Sequence, residues 1–272
     1  MNQAKICFIG AGNMSRSIIS GLVTSGYDAN LIYATNPSQP KLTALMADFG
    51  IHTSNDNYAT AQLADVIVLS VKPQMMAEVC QALATLDLSS KLIITIAAGV
   101  PAARYQDYFA QPLQLIRAMP NTPSQIGYGM CGLFATEAIN ADQKQIAQAI
   151  MATGSKTLWV EQESELDLVI ALAGSSPAYF FMFMESMLAS ATAMGMDEAK
   201  ARLLVEQAAL GAAQMVCQNP QLSLAQLRQN VTSKGGTTAE AINTFEQGKL
   251  PELVDNAMQN CIARAQQMAK QF

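Results

Sequence analysis

The sequence predicts an α/β protein: a parallel, doubly wound sheet over residues 1–161, then an all-helical domain over residues 162–272. Three observations predict it. The chain opens with a short apolar run, Ile6 to Ile9, cut at once by Gly10-Ala11-Gly12 and followed by a helical pattern through Ile18, Ile19, Leu22 and Val23. Short β-favouring runs then alternate with helical patterns as far as Val160, the order that builds a parallel sheet with helices on both faces. Beyond Glu161 no strand pattern remains, and helical periodicity runs through 164–217, 222–229, 238–247 and 250–270.

In order, Asn30 to Ala34 reads as the second strand, and Pro40 to Phe49 as a helix stopped by Gly50. Ile51 to Thr53 is a weak third strand, and Asn57 to Leu63 a short helix. Asp65 to Val71 is a strong buried strand, which Lys72-Pro73 turns into a helix through Leu83, since proline suits a first helical turn. Lys91 to Ile96 is a strand ended by Ala97-Ala98-Gly99. Leu113 to Ala118, Gly132 to Ala135 and Lys156 to Val160 complete the sheet. Leu168 to Met184 is nearly uncharged, but Ser175-Ser176-Pro177 interrupts it. A spanning helix needs about 20 apolar residues, so a buried helix kinked or restarted at Pro177 is expected.

Composition narrows the function. Half of the 272 residues are hydrophobic, only 14% are charged, and the net charge is −5. No basic run exists, which argues against a nucleic-acid partner. So little charge implies apolar surface covered by another subunit. The five cysteines are scattered without a CxxC pair, which predicts a reducing, cytoplasmic setting with neither disulfides nor a metal site. The N-terminus enters a strand directly, which argues against a signal peptide.

Strand, glycine turn and helix is how a dinucleotide-binding, Rossmann-type domain begins: glycines admit a pyrophosphate, and the helix start offers it free N–H groups. Ser15 replaces the third glycine of the usual fingerprint. The second strand ends at Ala34-Thr35-Asn36 without the acid that binds ribose hydroxyls in NAD sites. Thr35, Asn36 and Ser38 remain as donors, with room for a 2′-phosphate. That predicts NADPH with some use of NADH. Val71-Lys72-Pro73 and Ala97-Ala98-Gly99 lie at strand ends where ligands collect. Arg117 to Pro123 forms a third, proline-stiffened loop. His52, the lone histidine, reads as an edge residue rather than a catalyst.

The late segment Asn230 to Ile242 carries a polar double-glycine loop running into a helix. Thr237 and Glu240 have capping-box spacing. Equally, the free N–H groups at the helix start could cradle a carboxylate. On the residues alone both readings stand.

With that segment the chain resembles pyrroline-5-carboxylate reductase, on FIGAGNM at 8–14, VKP at 71–73, AAGV at 97–100, MPNTP at 119–123 and VTSKGGTTAEAI at 231–242. Two positions depart from the family pattern: Lys234 where proline is usual and Ser176 where glycine is usual. The resemblance implies NADPH-dependent reduction of a small cyclic imine carboxylate to proline. It also implies a helical domain that dimerises, with dimers that often assemble into rings. Carried over by motif, the cofactor meets Gly10, Ala11, Gly12, Asn13, Met14, Asn36, Asn57, Val71, Lys72, Pro73, Ala97 and Ala98. The substrate meets Asn230, Ser233, Gly235, Gly236, Thr237 and Thr238, from the partner subunit, with Thr238 as the catalytic hydroxyl. Neither a metal nor a membrane enters this picture. A β-hydroxyacid dehydrogenase shares the architecture, but no Lys-x-x-x-Asn occurs after residue 161. A related imine reductase or a non-catalytic dinucleotide-binding regulator would also fit a chain of this design.

Overall fold

The computed structural model describes residues 3–271. Eight strands form one sheet: β1 Ile6–Ile9, β2 Ile32–Thr35, β3 His52–Ser54, β4 Val66–Leu69, β5 Leu92–Thr95, β6 Gln114–Pro120, β7 Gly129–Ala135 and β8 Ser155–Trp159. Their spatial order is β3-β2-β1-β4-β5-β6-β7-β8. The helices between them are α1 Asn13–Thr24, α2 Gln39–Phe49, α3 Asn57–Leu63, α4 Pro73–Leu83, α5 Ala102–Phe109 and α6 Ala141–Ala152.

The central strands are apolar throughout because both faces are covered. Successive side chains on a strand point to opposite faces. Ile6 and Phe8 therefore pack with Ile18, Ile19 and Leu22 of α1, while Cys7 and Ile9 pack with Met76, Cys80 and Leu83 of α4. Cys7, Cys80 and Cys131 are buried thiols, each pushed up to about 12 by loss of solvation. All five cysteines are free.

The sheet is not wholly parallel, contrary to what the alternation implied. β6 and β7 pair antiparallel, with Met119 opposite Gly132. Only a 3₁₀ turn, Thr122–Ile126, joins them. A parallel pair needs a crossover of a dozen or more residues, so this connection can only double back. Arg117 stands within β6 and not in the following loop. Asn121 closes that loop: its amide donates to the Ala173 carbonyl at 2.9 Å, and its oxygen accepts from Met130 N–H at 2.8 Å. α2 stops at Gly50 in the left-handed region, as its sequence implied. α6 starts in a capping box between Asn140 and Gln143.

After β8 the chain is helical: α7 Glu165–Val169, α8 Ser176–Ala193, α9 Glu198–Gln218, α10 Leu224–Asn230, α11 Thr237–Gln247 and α12 Leu250–Gln271. The helical pattern over 164–217 is broken twice. A π turn, Ile170–Gly174, ends at Ser175, two residues before Pro177. Residues 194–197 separate α8 from α9, with Gly195 at φ 93°. Of the apolar stretch 168–184, expected to be buried, only Val169 and Ala171 are buried within the chain. Phe180 and Met182 are 66% and 69% exposed. The segment Glu165–Ala193 is long and apolar enough to cross a membrane by length and composition. Contacts group the chain into two units. One runs up to Pro177 and resumes from Asn260, and the other is Ala178–Gln259.

Candidate functional site

The sheet reverses direction of growth at β1 and β4. β2 lies on one side of β1 and β4 on the other, and ligands bind open α/β sheets at such a switch point, outside the strand C-termini. The glycine turn occupies that point. Gly10 takes φ 110°, and a Cβ there would lie 2.8 Å from the Ser70 carbonyl oxygen. The Ser70 hydroxyl donates to the carbonyls of Ile9 and Gly10, both at 3.0 Å, locking the turn against the end of β4. Ser15 is fully buried and donates to the Gly10 carbonyl at 2.6 Å. It thus ties the turn back to α1, in the place where the fingerprint has its third glycine.

Gly12 is the N-cap of α1, and no side chain caps that helix. A Cβ at Gly12 would meet nothing within 4 Å. The first N–H groups of α1 are therefore open, at the positive end of the helix dipole, where a pyrophosphate is stabilised. Asn13 and Met14 start the helix beside them. This open cradle fits a dinucleotide.

The end of β2 completes its rim. Asn36 accepts from Ala11 N–H through its side-chain oxygen at 3.2 Å, leaving its amide N–H₂ for a ligand. Its backbone carbonyl accepts from Asn55 at 2.8 Å. Thr35, expected from the sequence to be a donor, is fully buried, and its hydroxyl turns toward the Phe8 carbonyl at 3.5 Å. It is withdrawn from solvent because β2 sits between β1 and β3 there, so it does not serve as the donor that the sequence suggested. Ser38 is the N-cap of α2 and makes no capping bond, so its hydroxyl and the helix start remain available. Asn57 opens α3, capped by Asp56, which accepts from Ala59 N–H at 3.0 Å. Val71 follows β4, Lys72 is the uncapped N-cap of α4, and Pro73 is its first residue. Ala97 and Ala98 follow β5, with Ala97 buried and Ala98 half-buried. His52 lies exposed on edge strand β3, stacked on Tyr33 at 4.9 Å. Sequence patterns did not mark Ser15 and Ser70 as the residues that frame the turn. The signal for Ser70 was a hydroxyl ending an otherwise apolar strand.

In the other unit, α10 ends at Asn230 and α11 begins at Thr237. Gly235 takes φ 70°, which turns the chain into the helix, and Gly236 is the N-cap. No side chain caps α11. The capping box between Thr237 and Glu240 does not form, because Thr237 is already the first helical residue and Glu240 lies one position too far along. Gly236 packs against Ser233: its N–H donates to the Ser233 carbonyl at 3.0 Å, and a Cβ on it would lie 2.6 Å from the Ser233 hydroxyl. Asn230 accepts from Gln226 at 3.0 Å. Thr237 and Thr238 are at least partly exposed. The result is an uncapped helix start flanked by hydroxyls, suited to a small carboxylate.

Comparison with known proteins agrees with both halves. Residues 5–99 match a family profile described as NADP oxidoreductase, coenzyme F420-dependent, and residues 163–268 match pyrroline-5-carboxylate reductase dimerisation. The chain is 56% identical over 272 residues to pyrroline-5-carboxylate reductase of Vibrio alginolyticus, covering all of both chains. It is 34% identical over 270 residues to that of Escherichia coli strain K12, covering 98% of this chain and 99% of that one. A solved pyrroline-5-carboxylate reductase from Coxiella burnetii superposes with a TM-score of 0.91 at 42% identity, covering 98% of this chain and 99% of the other. A Plasmodium falciparum pyrroline carboxylate reductase, solved with NADP bound, shares the fold, with a TM-score of 0.89 at 24% identity and 99% of each chain covered. With a Rossmann sheet, a dimerisation domain and relatives this similar along their full lengths, the chain belongs to the pyrroline-5-carboxylate reductase family.

Proposed function

We propose that this protein reduces 1-pyrroline-5-carboxylate to L-proline with NADPH, the final step of proline biosynthesis. The structural observation that carries the reading is the uncapped start of α11 beside Thr238. The reduced nicotinamide supplies a hydride to the imine carbon when bound. The chain supplies binding and orientation. The backbone N–H groups of Gly235, Thr237 and Thr238, with Ser233 and Asn230, hold the carboxylate, while Gly236, bonded to the Ser233 carbonyl, keeps the turn in shape. The Thr238 hydroxyl donates to the ring nitrogen, whose lone pair appears as the imine becomes an amine. The protonated imine is already electrophilic, so no strong general acid is needed. Gly10 to Met14, Asn36, Asn57, Val71 to Pro73 and Ala97-Ala98 hold the dinucleotide.

The test is NADPH oxidation followed by absorbance with pyrroline-5-carboxylate as substrate. No imine-dependent oxidation, despite NADPH binding, would favour a non-catalytic regulator. Turnover of hydroxyacids instead would favour a β-hydroxyacid dehydrogenase.

In this reading the functional division falls at 161/162, with the NADP-binding domain before it and the substrate and dimerisation domain after it. NADPH is preferred over NADH by a modest factor, because Asn36 and Ser38 offer donors just beyond β2 and no carboxylate ends that strand. Comparing kcat/KM for the two cofactors checks this, and a clear preference for NADH would reverse it.

The protein works in the cytoplasm as a homodimer, with dimers free to assemble into a larger ring. No nucleic-acid or membrane partner is part of the reading. Phe180, Phe181, Met182 and Met187 are exposed along α8, and an open groove of ≈ 370 Å³ between α8 and α9 is lined by Phe181, Met184, Leu188 and Val205. Burying apolar area stabilises by about 25 cal/mol per Å², so a second copy is the expected cover. Sedimentation at micromolar concentration is expected to show no monomer. A fully active monomer would overturn the reading.

A further inference from the structure

One partly buried polar cluster stands apart from the cradle and the α11 loop. Arg117 of β6 is 6% exposed, and its guanidinium donates to Glu163 Oε1 at 2.6 Å. The same oxygen accepts the backbone N–H of Ala102, also at 2.6 Å. Ala102 is the first residue of α5, so this carboxylate pins the far end of the loop that carries Ala97 and Ala98. The near end is pinned as well. Ala97 N–H donates to the Thr95 hydroxyl at 3.4 Å, and that hydroxyl bonds the buried Tyr105 hydroxyl of α5 at 2.5 Å. Between the two, Gly99 lies so close to α12 that a Cβ on it would stand 2.8 Å from Met268 Cβ.

Stability alone does not account for this pair. The Arg117 end of the pair is buried while the Glu163 side chain is 30% exposed, and desolvating the guanidinium offsets much of the Coulombic gain. Here the Arg117 Nε is buried with no acceptor among the described residues, so the cluster leaves a donor unsatisfied. What the arrangement does provide is a fixed position. A charge-assisted acceptor holds the N–H that begins α5, and the arginine holds that acceptor from the neighbouring strand.

We propose that Glu163 is a positioning residue for the nicotinamide cofactor: held by Arg117, it fixes the 97–101 loop in the shape that binds the dinucleotide. The proposal rests on the assignment of this loop to the cofactor. Glu163 touches no ligand itself and acts through the Ala102 N–H.

NADPH titration by fluorescence, on the full-length protein and on Glu163→Ala and Glu163→Gln, tests it. A hydrogen bond to a charged group is stronger than one between neutral groups, so Glu163→Ala is expected to weaken NADPH binding by about tenfold. Glu163→Gln keeps an oxygen for Ala102 N–H and is expected to bind at an intermediate strength. In the cofactor-free protein, amide exchange over residues 97–102 is expected to quicken in Glu163→Ala while the β1 and β4 amides keep their protection. KM for the imine is expected to change less than KM for NADPH. If the parent protein binds no NADPH, the cofactor assignment fails. If the parent binds and Glu163→Ala binds equally well with unchanged exchange over 97–102, the positioning role fails, even where the melting temperature falls.

Discussion

Gly12→Ala is expected to stay folded with little loss of stability and to lose most of its affinity for NADPH, whereas Gly10→Ala is expected to lose stability first. The two glycines are two residues apart but differ in their surroundings. At Gly10, φ 110° is strained for any residue with a Cβ, and that Cβ would press on backbone atoms of Ser70 at 2.8 and 2.9 Å. Backbone cannot swing aside as a flexible side chain can. Strained φ and overpacking each cost about 1–3 kcal/mol. Together, a loss of about 2–6 kcal/mol lowers the melting temperature by roughly 4–24 °C in a protein of this size. At Gly12 the backbone is extended, with φ −83° and ψ 178°, and a Cβ would meet nothing within 4 Å. The empty space is where a pyrophosphate would approach the N–H groups of α1. A methyl group there obstructs the ligand and meets no neighbour in the fold, leaving only the N-cap preference for glycine over alanine, about 0.5–1 kcal/mol. A melting curve and an NADPH titration on the three proteins decide the matter. Tight NADPH binding by Gly12→Ala would show that the pyrophosphate lies elsewhere.

Thr238→Ala is expected to lower kcat and kcat/KM together by about 5- to 150-fold, from the loss of one hydrogen bond of about 1–3 kcal/mol. NADPH affinity is expected to stay at the parent value. In the proposed role the ring nitrogen gains its lone pair only as hydride arrives, so the Thr238 hydroxyl would donate most strongly in the transition state, which is the condition for raising turnover rather than binding alone. Thr238→Ser keeps the hydroxyl and is expected to retain most activity. A purely local role is already weakened, since Gly236 and not a threonine is the N-cap of α11 and no side chain caps that helix. Steady-state kinetics beside melting curves separate the two roles. Parent-level turnover in a destabilised Thr238→Ala protein would remove the residue from the chemistry.

The strand, glycine turn and open helix start were legible in about ten residues of sequence, because these parts are local. A strand buried on both faces must be apolar throughout, a turn meeting the Ser70 backbone must be glycine, and the helix start follows directly. The α11 loop was half legible. Gly235 and Gly236 announced a tight turn, but whether Thr237 caps the helix depends on a one-residue shift in where the helix begins, and sequence patterns do not resolve boundaries that finely. Thr35 was misjudged for a similar reason: a hydroxyl at a strand end reads as a donor until neighbouring strands are seen to enclose it.

By itself, the sequence determined the alternation of strands and helices, the glycine turn and the helical second half, all set by periodicities of a few residues. Tertiary structure alone decided three things. It reversed β7 against β6, because strand direction follows from the path of the connection. It left the α8 side chains outside the chain's own core, because hydrophobicity says that a residue will be covered and not what will cover it. And it brought Arg117, Glu163 and Ala102 together across 46 and 61 residues of sequence, since hydrogen bonds between distant segments leave no periodic trace in the chain.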